Sequence, residues 1–305
     1  MKKVFINLSV PILLIMQLGA KPLNLNKISQ DANWLMHMDF DAMRNSEVGT
    51  YIRSSIEKIP EAIDRVNRMK EAYGVDLDGF SYLTMSGSGE RDKGIAILKG
   101  GLDVDTMLDN PKFKDRLELN LVGKQKVYTS EKGRRPMAFA ALKKGIIVGG
   151  PDTDYVSEGI MLAKGKSSSY TGHELLENLI MTVDQPGFLF FADLENAKLN
   201  DNLDPRTKFM TDKVNVGGMV IGEAAGAIRI SAVVETINEE TCEQMEAMIR
   251  GGLAMMDLRK SSDKRIANIL ENYSVRRVGN MIWMELDLSV DAIMEHVDKE
   301  MRKSA

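Results

Sequence analysis

One cysteine in 305 residues leaves Cys242 nothing to pair with inside the chain, so no intramolecular disulfide forms and stability rests on packing. Cys242 opens the series Cys242, Met245, Ile249, Leu253 and Met256, whose spacing is one face of a helix, and a thiol in such apolar surroundings reads as inert. Histidine is scarce too, with three in the chain. His173-Glu174-Leu175-Leu176-Glu177 begins like a zinc-protease helix but carries Glu177 where the second histidine must stand. In Met36-His37-Met38 the alternation of a strand puts His37 on the face opposite the two thioethers, so the three do not converge on a soft metal. No metal and no cofactor is expected. Glycine pairs such as Gly100-Gly101 and Gly149-Gly150 have no phosphate-loop or dinucleotide spacing, and Ser86-Gly87-Ser88-Gly89 fails the spacing of a serine-hydrolase elbow. Positive charge is not in surplus either. A formal net charge of −4 gives no footprint for a phosphate backbone and excludes nucleic acid as the expected partner, and Lys132-Gly133-Arg134-Arg135 reads as a solvated basic turn.

What the chain does have is a basic, then apolar, start. Lys2 and Lys3, the mostly apolar run Val4–Leu18 and the small Ala20 read as a secretory leader over residues 1–20, with Leu18 less small than cleavage prefers. The run falls short of the ~20 apolar residues that span a bilayer, so no integral span is expected once the leader is gone. The expected destination is the periplasm or the exterior. Hydrophobic residues at 44% and charged residues at 28% describe an ordinary globular chain, and its length favours two units.

Local signals order those units. A strand over Trp34–Phe40 is followed by a helix from Pro60 to Tyr73 that Gly74 ends. Strands follow over Phe80–Met85 and Gly94–Lys99, then near Leu117–Val122 and Lys126–Ser130, and a hairpin Met137–Leu142 with Ile146–Gly149 turns at Lys143-Lys144-Gly145. Asp152 caps a helix with Val156 and Ile160 inward. The small, polar Gly165–Ser169 marks a boundary, and Thr171 with Glu174, like Thr236 with Glu239, has capping-box spacing. The resulting division is a first unit over 21–165, a linker and short helix over 166–183, and a second unit over 184–305.

The second unit repeats the first. Trp34-Leu35-Met36-His37-Met38-Asp39-Phe40-Asp41 lies on Phe188-Leu189-Phe190-Phe191-Ala192-Asp193-Leu194-Glu195, and Val122-Gly123 matches Val278-Gly279. On this match the hairpin around Gly145 has no counterpart, and the second half gains a helical stretch near Asp263–Leu270. The leader, the strand Met38-Asp39-Phe40-Asp41, Gly74-Val75-Asp76-Leu77 before a strand and the late Ile147-Val148-Gly149-Gly150 resemble exported proteins of planctomycete- and verrucomicrobia-type bacteria that have no assigned activity. That resemblance implies export and an α+β fold, and carries no catalytic residue.

The expected fold class is α+β, with two related units of antiparallel strands packed on helices, facing each other across a cleft. The expected function is an exported, non-catalytic binding or interaction module for a protein, an envelope component or a small ligand. The alternative is an exported hydrolase or cation-binding protein using Asp39, Asp41, Asp193 and Glu195, the acids at the recurring strand ends. Capping is the preferred role for those acids.

Overall fold

The computed structural model describes residues 23–90, 92–130, 136–197, 208, 211–258 and 271–304. The leader, the basic turn at Lys132 and the stretch Asp263–Leu270 lie outside them. From the N-terminus come β1 (Trp34–Asp39), α1 (Phe40–Asn45), α2 (Glu47–Ile56), α3 (Pro60–Tyr73), β2 (Val75–Gly87) and β3 (Ile95–Leu102). Next are α4 (Val104–Asp109), α5 (Pro111–Lys114), β4 (Glu118–Val122), β5 (Gln125–Ser130), β6 (Met137–Leu142), β7 (Ile146–Gly150) and α6 (Thr153–Ala163). The second half holds α7 (Glu174–Ile180), β8 (Gln185–Asp193), β9 (Val214–Ala224), β10 (Ala227–Thr236), α8 (Glu239–Asp257), β11 (Tyr273–Val278), β12 (Met281–Ser289) and α9 (Val290–Ser304). This is an α+β fold. No helix among the described residues is long and apolar enough to cross a membrane.

All the strands join one twelve-stranded antiparallel sheet in the order β11-β12-β10-β9-β8-β1-β2-β3-β7-β6-β5-β4. The two halves therefore meet edge to edge rather than across a cleft. Each half begins with a strand whose second edge would otherwise be open, and pairing β1 with β8 satisfies both. In that seam Met36 faces Phe190, Trp34 pairs with Ala192 and Met38 with Phe188. The sequence match lays Trp34 on Phe188 and Met38 on Ala192, so matched residues exchange places about a local twofold axis at the Met36–Phe190 pair.

Outward from the seam, β7 and β12 hold the same place, next to the third strand of their half and directly before a helix. The hairpin around Gly145 thus does have a counterpart, β11–β12, and β4–β5 is the added hairpin. The sequence match fails here because Gly123, Gly145 and Gly279 all turn their hairpins at φ near +60°, so turn chemistry does not tell one from another. The segment joining the halves is fastened as well, since Ser169 bridges to Ser29 and the Tyr170 N–H donates to the Ile28 carbonyl at 3.0 Å.

Alternation along the strands divides the sheet into two faces. One carries Leu35, Ile97, Val148, Leu189, Phe191 and Val233, and both buried clusters lie on it. Val156, Ile160 and Leu162 of α6 cover its first half, and Leu175, Leu176 and Leu179 of α7 its second. The other face carries half-buried Met36, Met38, Met85, Phe188 and Met219, with Phe190 exposed.

Helix ends depart from expectation where a neighbour claims the cap. Gly172, at φ +93°, breaks the chain after Thr171, so His173 caps α7 by accepting from the Leu175 N–H at 3.2 Å. The Thr236 hydroxyl is engaged with the Asn238 and Asn280 carbonyls, and Asn238 caps α8 through the Thr241 N–H at 2.8 Å. Helix α3 has its expected bounds, yet none of its residues is buried.

Candidate functional site

The four acids do not assemble. Asp39 is buried and its Oδ1 accepts from the Ala42 N–H at 2.8 Å, capping α1. Asp41 lies inside α1 rather than on the strand and pairs with Arg44, whose guanidinium also donates to the Phe80 carbonyl at 2.6 Å. Asp193 accepts from the Asn196 N–H at 3.2 Å and from its side-chain amide at 2.8 Å, while Glu195 is exposed. Because β1 and β8 are antiparallel, Asp39 and Asp193 stand at opposite ends of the seam, roughly 20 Å apart at ~3.4 Å per residue. Cys242 is fully buried, and burial pushes its thiol above the ordinary range. Among the described residues no three or more His, Cys, Asp or Glu side chains gather to hold a metal ion.

A different group of residues does converge. A cavity of about 380 Å³ opens on the helix-covered face at β1–β2, lined by Leu23, Asn24, Leu25, Lys27, His37, Tyr82 and Thr84. Its floor is set by register: His37 pairs with Thr84 across the strands, and their side chains share a hydrogen bond of 2.9 Å between Nδ1 and Oγ1. Tyr82 is the next residue along on that face, with its ring centroid 6.0 Å from the imidazole. The roof is a 3-10 turn, Leu25–Lys27, capped by the Asn24 side chain, which accepts from the Asn26 N–H. That turn brings the Lys27 ammonium to 2.8 Å from the Tyr82 hydroxyl and 5.2 Å from its ring centroid.

Local symmetry explains why space remains here. His37 and Thr84 correspond in register to Phe191 and Gly218 in the second half. There α7 seats Leu179 so closely that a Cβ on Gly218 would stand 2.8 Å from it and 3.2 Å from Phe191. The first half puts a hydroxyl and an imidazole at those positions, under a short turn in place of a helix. Both side chains are buried.

Among the described residues Lys27 is the one formally charged side chain lining this cavity, and the rest of the polar lining is rich in hydrogen-bond donors. The site escapes a reading of the sequence because Tyr82-Leu83-Thr84-Met85-Ser86 alternates in the wrong sense. Leu83 and Met85 look like the core face, yet Tyr82, Thr84 and Ser86 are the buried residues. The available signal was His37, which points away from Met36 and Met38 and so marks the inward face as partly polar.

No family model matches the chain and no curated protein matches it. Among solved structures, TP0453 of Treponema in its crystal form I is similar at a TM-score of 0.48 and 8% identity, over 92% of this chain and 98% of that one. Crystal form III gives a TM-score of 0.48 at 8% identity, over 90% of this chain and 97% of that one.

Proposed function

We propose that this chain is an exported binding protein whose ligand site is the cavity between the 3-10 turn and β1–β2, and that the ligand is a small anion with an apolar tail, such as a short-chain carboxylate. The observation that carries this reading is the lining, which among the described residues has one cation, no carboxylate and two leucines around about 380 Å³. That volume lies in the range of small-molecule sites, and the mixture of an apolar wall with a few convergent polar groups is their usual composition. The ammonium of Lys27 has three donors and gives one to Tyr82, so it can bind an anion without leaving its place. Thr84, held by His37, adds a hydroxyl on the opposite wall. The separation of Asp39 from Asp193 and the pairing of Asp41 with Arg44 weigh against a hydrolase built on the strand-end acids.

Titration calorimetry of the full chain with carboxylates and alkylamines of two to eight carbons tests the site. A charge-assisted hydrogen bond contributes about 1.5–3 kcal/mol. Saturable binding of carboxylates, weakened roughly 10- to 100-fold by Lys27→Ala and largely restored by Lys27→Arg, is the expected result. Equal binding by the alanine variant, or a preference for amines, overturns the reading. Export is tested separately by N-terminal sequencing of secreted material, expected to begin near Lys21. An intact Met1 terminus recovered from the cytosol overturns that part.

A further inference from the structure

The first half of the sheet and the second are covered differently at their outer strands. On the helix-covered face, Ile97, Val148 and Ala140 form a row across β3, β7 and β6, and the corresponding row across β10, β12 and β11 is Val233, Trp283 and Arg276. Helix α6 lies directly on the first row, since a Cβ on Gly159 would stand 2.4 Å from Val148. The helix that follows β12 does not return over the second row. It packs against α2, where the Tyr51 hydroxyl donates to Asp298. The place α6 fills in one half is in the other a groove of about 550 Å³ between α7 and the outer strands.

We propose that this groove is a second binding site and that it takes a neutral saccharide. A valine and an alanine under a helix have become a tryptophan and an arginine facing a groove. The Trp283 indole, with Met281 and Val278 beside it, is an apolar platform of the kind that accepts the C–H face of a sugar ring. Around it stand Arg276, Glu235 and Asn178, three planar groups whose paired donors or acceptors match vicinal hydroxyls. Arg276 lies 6.0 Å from the indole centroid. Its neighbour Arg277, on the opposite face, is engaged instead by Glu243 at 3.2 Å and Glu246 at 3.1 Å. The Glu235 carboxylate is braced by the Asn280 amide at 3.3 Å. Among the described residues that line the groove, two acids, Glu174 and Glu235, against one arginine disfavour an anion, which separates this groove from the cavity at Lys27.

The chain has two tryptophans, so Trp34→Phe leaves Trp283 as the sole indole reporter. Titration of that variant with a panel of neutral mono- and oligosaccharides is expected to give a saturable change in emission. Arg276→Ala should weaken it tenfold or more with the circular dichroism spectrum unchanged, and Lys27→Ala should leave it intact. Calorimetry on the tryptophan-complete chain reads the same affinities should Trp34→Phe fail to fold. Absence of saturable binding across the panel, equal binding by Arg276→Ala, or loss of binding in Lys27→Ala overturns the proposal. Carboxylate binding at Lys27 is scored in a separate titration, so failure at one site is not failure at the other.

Discussion

The same substitution, glycine to alanine in a helix, should act with opposite sign on α6 and α8. In a free helix interior alanine is favoured over glycine by ~0.8–1.0 kcal/mol. At Gly159 the added methyl would stand 2.4 Å from Val148 Cγ1 and 2.8 Å from Ile95 Cγ2. Both neighbours are β-branched and buried, with Val148 at 0% exposure, so neither can turn aside. Overpacking of this kind costs ~1–3 kcal/mol. The contacts here are short and the neighbours stiff, so the upper part of that range applies and Gly159→Ala should lose about 1–2 kcal/mol net. At Gly251 a Cβ meets nothing within 4 Å, and Gly251→Ala should gain up to about 1 kcal/mol. Urea unfolding of the two variants beside the parent reads both changes as midpoint shifts at constant slope. A Gly159→Ala chain as stable as the parent, with Gly251→Ala stabilised as expected, would refute the close seating of α6 on β3 and β7.

Asp39→Ala should cost about 1 kcal/mol through loss of the cap on α1, while Asp39→Asn, whose amide oxygen still accepts from Ala42, should be milder; equal thermal destabilisation of the two would remove the capping role. Two hydrogen bonds of 2.7 Å from Arg229 hold the Asp287 carboxyl below its ordinary value of 3.8, against the opposing effect of burial. A depressed folded pKa adds stability above the unfolded value that fades as pH falls through the folded one, so this pair helps at pH 6 and is lost going below about pH 3.8. With Asp287 37% exposed the effect is about 0.5 kcal/mol, and Asp287→Asn should show a smaller drop in urea midpoint between pH 6 and pH 3 than the parent; an equal drop refutes it.

Features written in short stretches of sequence were legible. Pro60 and Gly74 bound α3, and Asp152 starts α6, because proline at a first turn, glycine at φ +68° and a carboxylate cap act within a few residues. The match of β1 with β8 was legible and turned out to describe the seam itself. Features decided by distant partners were not. Nothing local says that β1 would pair with β8 instead of lying across a cleft from it, or that β7 and β12 hold equal places. The apolar stripe of α3 signals a buried face, yet Ile63 and Met69 are exposed. The cavity was hidden for the same reason: its floor is polar on the buried side of β2, and its roof comes from a turn 55 residues earlier in the chain.

The claim that a small anion binds beside Lys27 is tested most directly by the ring signals of the three histidines, His37, His173 and His296, in nuclear magnetic resonance spectra of the full chain titrated with a short-chain carboxylate. Binding in the cavity should shift the His37 ring and leave His173, beside the Trp283 groove, and His296 of α9 in place, and Lys27→Ala should remove the shift. A His37 signal that does not move at saturating carboxylate, or that moves equally in Lys27→Ala, would contradict the account.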